Sequence, residues 1–478
     1  MLFRTQSQKT TLGTTDLFQL RRLRVDNRSR ATHTYVVGTT GRGKSKLLEH
    51  ILYQDIVSGH GCGVLDPHSD LVADLLHNLH NHPARANAHW NRILYFDPTR
   101  TDYLVPFNVL RVGMTPYATA QNVVEAFRRT WPRALAAAPR FANIATAAIL
   151  TLIATDLTLV ELPRLLTDAA FRERLLARVT DPEVLAFWRD RYAKWGRNGP
   201  LMVESLLNKV TALTLNPQLR LILGAVENRL DFRRIMDEGK ILLVDLGRCD
   251  GETRRLLGSL IVTGLEQAAH ARQDTGIFRR PFYFCMDEFQ DFCANEGASQ
   301  TLAQTLSECR KFGLHLTLAH QSLGQINERL KSALGNIQLK IVFGVARQDA
   351  EALAPHLFQV GGQRPSVPSP VRSGRTPLPY YALQEEWERT IQTLQNLPPR
   401  VAMVRSPEHA QVARLKTIIL KYPVVDLSSL EGLRRNLARQ TGIACEALHQ
   451  SLQERGQRFQ MPPPEIRQRR NAPSSRSA

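Results

Sequence analysis

Gly38-Thr39-Thr40-Gly41-Arg42-Gly43-Lys44-Ser45 reads G-x-x-x-x-G-K-S, the pattern of a loop that wraps the phosphates of a nucleoside triphosphate. Each residue type has a task there. The glycines let the backbone curl so that successive N–H groups face one concavity. The N-terminus of the helix that follows adds partial positive charge. Lys44 is placed to reach the β- and γ-phosphates, and the Ser45 hydroxyl to bind Mg²⁺. The context agrees: Thr34-Tyr35-Val36-Val37 is a strand-like run ahead of the loop, and Leu47, Leu48, Ile51 and Leu52 recur at helical spacing behind it. All eight residues are therefore candidate contacts for ATP and Mg²⁺.

Further short, apolar, continuous runs at 62–65 and 93–96 predict strands of a parallel sheet covered on both faces. From 115 to 223 the pattern changes to helical periodicity rich in Ala, Leu and Arg, with no convincing strand. Strand signals return at 241–244, 282–286, 314–318 and 337–343, with helix-like stretches between them. The fold class is α/β: one parallel sheet assembled from both sides of an all-α insert. The expected divisions are a basic lead-in (1–33), a nucleotide-binding domain in two pieces (34–114 and 224–425), and the all-α insert (115–223). A C-terminal helical segment (426–461) and a disordered tail (462–478) complete them. A Pro- and Ser-rich loop is expected at 361–379, and late strands within 394–420.

The chain has 478 residues, with 62 Lys plus Arg against 44 Asp plus Glu, a formal charge of +18. That balance favours a polyanionic partner, although a general preference for Arg would also produce it. Two candidate patches are Arg21, Arg22, Arg24, Arg28 and Arg30 in the lead-in and Arg128, Arg129, Arg133 and Arg140 in the insert; solvated faces are the bland alternative. The first 15 residues lack the apolar core of a secretory signal. The most apolar stretch, 141–162, is interrupted by Asn143, Asp156 and Glu161 and reads as a buried helix rather than a membrane span. The six cysteines are scattered without C-x-x-C spacing, as in a reduced, cytosolic protein without a zinc site.

Phe282-Tyr283-Phe284-Cys285-Met286-Asp287-Glu288 is an apolar strand ending in two carboxylates. A triphosphatase needs that beside its phosphate loop: Asp287 to hold Mg²⁺ through water, Glu288 to polarise the attacking water. Farther on, Leu314-His315-Leu316-Thr317-Leu318-Ala319 ends at His320-Gln321-Ser322, so Gln321 would face the γ-phosphate and orient water or sense phosphate loss. Arg310, in Cys309-Arg310-Lys311-Phe312-Gly313, is either an arginine finger for a neighbouring subunit or a cation favoured by a helix C-terminus; spacing does not separate the two. Asp66-Pro67-His68-Ser69-Asp70 reads as a turn with a helix N-cap at Ser69 or Asp70. His77, His80 and His82 read as a polar helix end rather than a metal cluster, for want of nearby ligands.

These pieces, in this order, resemble the FtsK/HerA superfamily of DNA-pumping ATPases, and most closely the conjugative coupling proteins of type IV secretion, the TraG/TraD type. The resemblance runs over 30–350. It rests on His33 through Ser45, Val64 through Leu71, Pro106-Phe107-Asn108, Gly239 through Leu246, Met286-Asp287-Glu288-Phe289, Cys309 through Gly313 and Ala319-His320-Gln321. It implies a RecA-like P-loop domain with an all-α insert, and an ATP site of Lys44, Ser45, Asp287 and Glu288. Gln321 would contact the γ-phosphate and Arg310 would act in trans. It further implies an ATP-hydrolysing DNA translocase working as a homohexameric ring, with relaxase or secretion-channel components as partners. The rival is an ATP-dependent adaptor that recruits protein or nucleoprotein substrates to a secretion or mobile-element machine. A non-hydrolysing scaffold is disfavoured by the intact Asp287-Glu288 pair. Three departures accompany the resemblance: no transmembrane helices at the start, Ser69 where many relatives have Gly, and too few residues before the loop for the barrel of HerA proteins. The expectation is a relative without a membrane anchor, cytoplasmic or held at the inner membrane through its partners.

Overall fold

The computed structural model describes residues 9–15, 21–81, 87–132, 135, 140–275, 279–293, 296–359, 383–409, 411–420 and 426–458. Among the described residues thirteen strands occur in chain order: β1 (Lys9–Thr14), β2 (Arg22–Asp26), β3 (Thr34–Val37), β4 (Gly61–Asp66), β5 (Ile93–Phe96), β6 (Tyr103–Leu104), β7 (Ile241–Asp245), β8 (Phe282–Met286), β9 (Leu314–His320), β10 (Leu339–Val342), β11 (Val401–Arg405), β12 (Ala413–Thr417) and β13 (Ile443–Ala444). Eleven form one sheet in the order β2-β1-β12-β11-β10-β3-β9-β8-β4-β7-β5, and β6 pairs with β13. From β10 to β5 every pairing is parallel. From β10 outward through β11, β12, β1 and β2 every pairing is antiparallel.

Every residue of the parallel strands is buried, which is why each reads as an unbroken apolar run rather than an alternating one. Side chains alternate between two cores. On one face Val36, Val64, Leu243 and Cys285 pack under the helices Lys44–Val57 and Asp70–Asn81 through Leu47, Ile51, Leu71 and Leu75. On the other, Val37, Leu65, Val244 and Phe284 pack under the helix Gly251–Ala271 through Leu257 and Ile261. That second core runs without a break into the segment between Pro116 and Gly224, where the described residues form helices and no strand. There Phe141–Ala154 is a buried helix, and Trp188 Nε1 donates to Thr151 Oγ1 on it at 2.9 Å. Among the described residues no helix is long and apolar enough to cross a membrane.

Two features depart from the sequence reading. The lead-in is not mere polar chain: β1 and β2 extend the sheet. In β2 Leu23 and Val25 are buried while Arg22 and Arg24 are exposed, a period-two strand pattern masked by its arginines. The basic patches also lose members. Arg30 is buried in a two-pronged pair with Asp55, both contacts 2.6 Å, under the Tyr283 ring. Arg129 is buried beside Glu266 and donates to Thr263 Oγ1 at 2.8 Å. These side chains serve the core and cannot meet a polyanion.

The C-terminal helices return to the body of the chain. Leu427–Thr441 lies along β5, and from Cys445–Arg458 the buried Arg455 donates to Glu161 Oε1 at 2.8 Å and Gly224 O at 2.7 Å. The expected loop at 361–379, the tail at 462–478, and Arg133 and His82 lie outside the described residues.

Candidate nucleotide site

β3 lies between β10 and β9, sixth of the eleven strands, so the loop emerges at the parallel strands' C-terminal edge near the middle of the whole sheet. Gly38 is required by packing: a Cβ there would stand 2.5 Å from Phe343 Cβ. Gly43, the N-cap of the following helix, has φ 103°, which glycine alone adopts without strain. Lys44 folds back over the loop it follows, its Nζ donating to Gly38 O at 2.7 Å and Thr39 O at 3.4 Å. Burial pushes the Lys44 amine down, while Glu288 and Asp287 hold its charge in place. The Arg42 guanidinium is taken up by Leu397 O at 3.0 Å and Thr39 Oγ1 at 3.3 Å.

Asp287 and Glu288 follow β8. Asp287 Oδ2 is 3.5 Å from Ser45 Oγ. The Asp287 carboxyl is pushed up to about 6, first by burial and then by its neighbours Glu288 and Asp66. Asp287 and the Ser45 hydroxyl are hard oxygen donors of the kind Mg²⁺ takes, and a cation there would reverse that upward push. Glu288 is buried with φ 44° and ψ 50°, a left-handed backbone uncommon outside glycine and Asn. Its two oxygens are held separately: Gln290 Nε2 donates to Oε2 at 2.9 Å and Gln321 Nε2 to Oε1 at 2.8 Å. Thr40 Oγ1 donates to Gln321 Oε1 at 2.9 Å. Gln321 thus joins the phosphate loop to the carboxylate expected to orient water. Beneath it His320 is fully buried, 2.6 Å from Tyr35 OH through Nε2 and against the Phe289 ring. Burial, with Lys44 nearby, pushes that imidazole down to about 3, so it is neutral.

Lys44, Ser45, Asp287, Glu288 and Gln321 therefore meet in one place, together with the loop from Gly38 to Gly43. Arg310 does not join them. It is exposed in the turn Cys309–Phe312, immediately before β9, whereas Gln321 lies immediately after β9. Seven extended residues separate them, about 23 Å at ~3.3 Å per residue. Arg310 cannot serve the loop of its own chain. Sequence reasoning passed over Gln290, whose only sequence clue is its place two residues beyond Glu288, and Asp66 as a third carboxylate.

Asp66 is also the acceptor that starts the next helix. Its Oδ1 takes the His68 N–H and its Oδ2 the Val72 N–H, both at 2.9 Å, while Ser69 holds the expected N-cap position, its carbonyl accepting the Ala73 N–H at 3.0 Å. Ser69 has φ 71° and donates its hydroxyl to Asp245 Oδ1. A position that favours glycine is thus filled by a residue whose side chain gains a charged partner. Among the described residues no group of three or more His, Cys, Asp or Glu is arranged to hold a metal ion.

Residues 281–356 match the family described as "TraM recognition site of TraD and TraG", a span that includes Asp287, Glu288, Arg310 and Gln321. Among solved structures the chain is similar to the unbound bacterial conjugative coupling protein TrwBdeltaN70, with 17% identity, TM-score 0.57, and 88% of this chain and 91% of that one covered. It is similar to plasmid coupling protein TrwB in complex with ADP and Mg²⁺, with 14% identity, TM-score 0.53, and 88% and 97% covered. VirB4 of Thermoanaerobacter pseudethanolicus follows, with 14% identity, TM-score 0.50, and 86% and 96% covered. A search of curated protein sequences gives no match. The fold is the RecA-like α/β architecture of TrwB, in agreement with the TraG/TraD-type resemblance read from the motifs.

Proposed function

We propose that the chain is an ATP-hydrolysing DNA translocase of the coupling-protein kind, acting as a homohexameric ring. The observation that carries this is the division of its chemistry between two edges of one sheet. Lys44, Ser45, Asp287, Glu288 and Gln321 converge at one edge, while Arg310 stands exposed at the other. A complete site then needs two subunits. Lys44 would hold the β- and γ-phosphates, and Ser45 and Asp287 would hold Mg²⁺, which when bound would supply neutralising charge to the phosphates. Glu288, its oxygens fixed by Gln290 and Gln321, accepts a proton from the attacking water. Arg310 of a neighbour stabilises the charge that develops. Loss of the γ-phosphate frees the Thr40–Gln321–Glu288 chain to rearrange, and this drives the DNA-facing loops. The complex with ADP and Mg²⁺ of the similar TrwB supports this choice of ligand. The formal charge of +18 supports a polyanion as cargo. The ring would work in the cytoplasm or at the inner membrane through partners such as a relaxase.

The decisive measurement is the ATPase rate with and without single- and double-stranded DNA, paired with mass determination in ATP. Stimulation by DNA and an ATP-dependent oligomer are expected. A strict monomer that hydrolyses ATP at full rate would overturn the reading. The family match over 281–356, described by its recognition of TraM, favours a second reading: an ATP-dependent adaptor that recruits protein or nucleoprotein substrates. It predicts weak hydrolysis that DNA does not stimulate.

A further inference from the structure

His33 is a buried imidazole that the proposed chemistry does not use, and it stands between the two halves of the divided site. It immediately precedes β3, whose other end carries the phosphate loop. The Leu316 N–H donates to its Nδ1 at 2.9 Å, so Nδ1 is the acceptor. The proton is then on Nε2, which donates to Leu306 O at 3.0 Å. Leu306 lies in the last turn of the helix Glu296–Glu308, where carbonyls lack helical partners, and Arg310 follows in the turn Cys309–Phe312. One neutral ring thus pins the end of the helix that leads to Arg310 and the start of the strand that leads away from it. The backbone is shaped to allow it: His33 has φ 66° and its N–H is bonded to Arg30 O at 3.0 Å. Burial pushes the imidazole down to about 4, so both bonds persist at neutral pH.

The opposite ends of the same two strands are also tied. β3 and β9 pair in parallel from Thr34↔Thr317 to Val37↔His320, Tyr35 OH meets His320 Nε2, and Thr40 meets Gln321. We propose that His33 is a positioning residue for Arg310, holding the finger that one subunit lends to its neighbour in register with the lender's own phosphate loop. This rests on the reading of Arg310 as acting in trans. The paired strands make a stiff element with Gln321 at one end and Arg310 at the other. A shift at the lender's loop therefore alters the finger it presents next door.

A finger-donor assay tests this in the full-length protein. Arg310→Ala subunits keep the loop and lend no finger; Lys44→Ala subunits lend a finger and hydrolyse nothing. Their mixture should recover ATPase activity through hybrid interfaces. A dead mixture would remove the trans reading and the role of His33 with it. The test of His33 itself is a His33→Asn/Lys44→Ala donor. Asn accepts a positive φ, and its amide oxygen near the Nδ1 position still accepts from Leu316, but no donor reaches Leu306 O. Rescue should fall on the order of 10²-fold relative to the Lys44→Ala donor, the scale of a 1 Å misplacement. The KM for ATP should not change, because the hydrolysing loop belongs to the other subunit. His33→Gln/Lys44→Ala, with an amide long enough to reach Leu306 O, should restore much of the rescue. Undiminished rescue by the Asn donor, with co-assembly verified by mass, overturns the proposal. If the Asn donor does not assemble, the Gln donor decides alone: an assembled donor without rescue overturns it, and rescue supports it.

Discussion

The two edges of the parallel sheet are built for different work. At the C-terminal edge polar groups crowd together, incompletely neutralised: Asp287 is pushed up, Lys44 is pushed down, and Glu288 takes a left-handed backbone. At the N-terminal edge two buried cation-forming side chains are matched. Arg30 meets Asp55 with two contacts and His33 meets two backbone groups, while Arg310 and Lys311 stand exposed. The first edge stores unsatisfied charge for a ligand; the second uses satisfied charge as fixings. Crowded charge therefore marks the chemistry, and matched burial marks the frame.

The contrast can be broken most directly at Lys44. Lys44→Ala should weaken nucleotide binding by calorimetry, shrink the rise in Tm that nucleotide gives, and remove turnover. Arg310→Ala should lower the ATPase rate by roughly 10³–10⁵ with nucleotide affinity nearly unchanged. If it lost affinity instead, Arg310 would belong to its own chain's loop and the separation of edges would fail. Asp55→Ala leaves the Arg30 guanidinium buried and unpaired, and should cost about 3–5 kcal/mol in denaturant unfolding. A loss below about 1 kcal/mol, the range of exposed pairs, would mean that water reaches this pair. Gln321→Ala cuts the link between Thr40 and Glu288, and should slow turnover by about 10² without weakening binding, as for other lost transition-state donors. Smallest is Ser69→Gly. Relief of a left-handed backbone, worth roughly 1 kcal/mol, opposes loss of the hydroxyl's bond to Asp245, so stability should move little in either direction. A large drop would show that the Ser69 hydroxyl outweighs the strain.

The C-terminal edge was legible because its signals are contiguous. Gly38 to Ser45 is a single backbone motif, and Asp287-Glu288 closes an apolar run of five. The parallel strands were legible for the same reason, since burial on both faces leaves unbroken apolar runs. The N-terminal edge was not, because its pairs join residues far apart in sequence: Arg30 with Asp55, His33 with Leu306 and Leu316. Neither partner is unusual alone. β1 and β2 were lost to composition: threonines fill β1, and arginines alternate with Leu23 and Val25 in β2. The arginine patches illustrate the opposite error. Sequence counts cations, but Arg30 and Arg129 spend theirs inside.

β2 is the outermost ribbon of the great sheet, and it carries Arg22 and Arg24 outward along its length. A rim studded with like charge discourages another copy from adding a strand to it. In the ring proposed above, copies would therefore meet flank to flank through side chains. Contacts of that sort can loosen and tighten with each turnover, whereas a backbone ladder would weld them into a fibre.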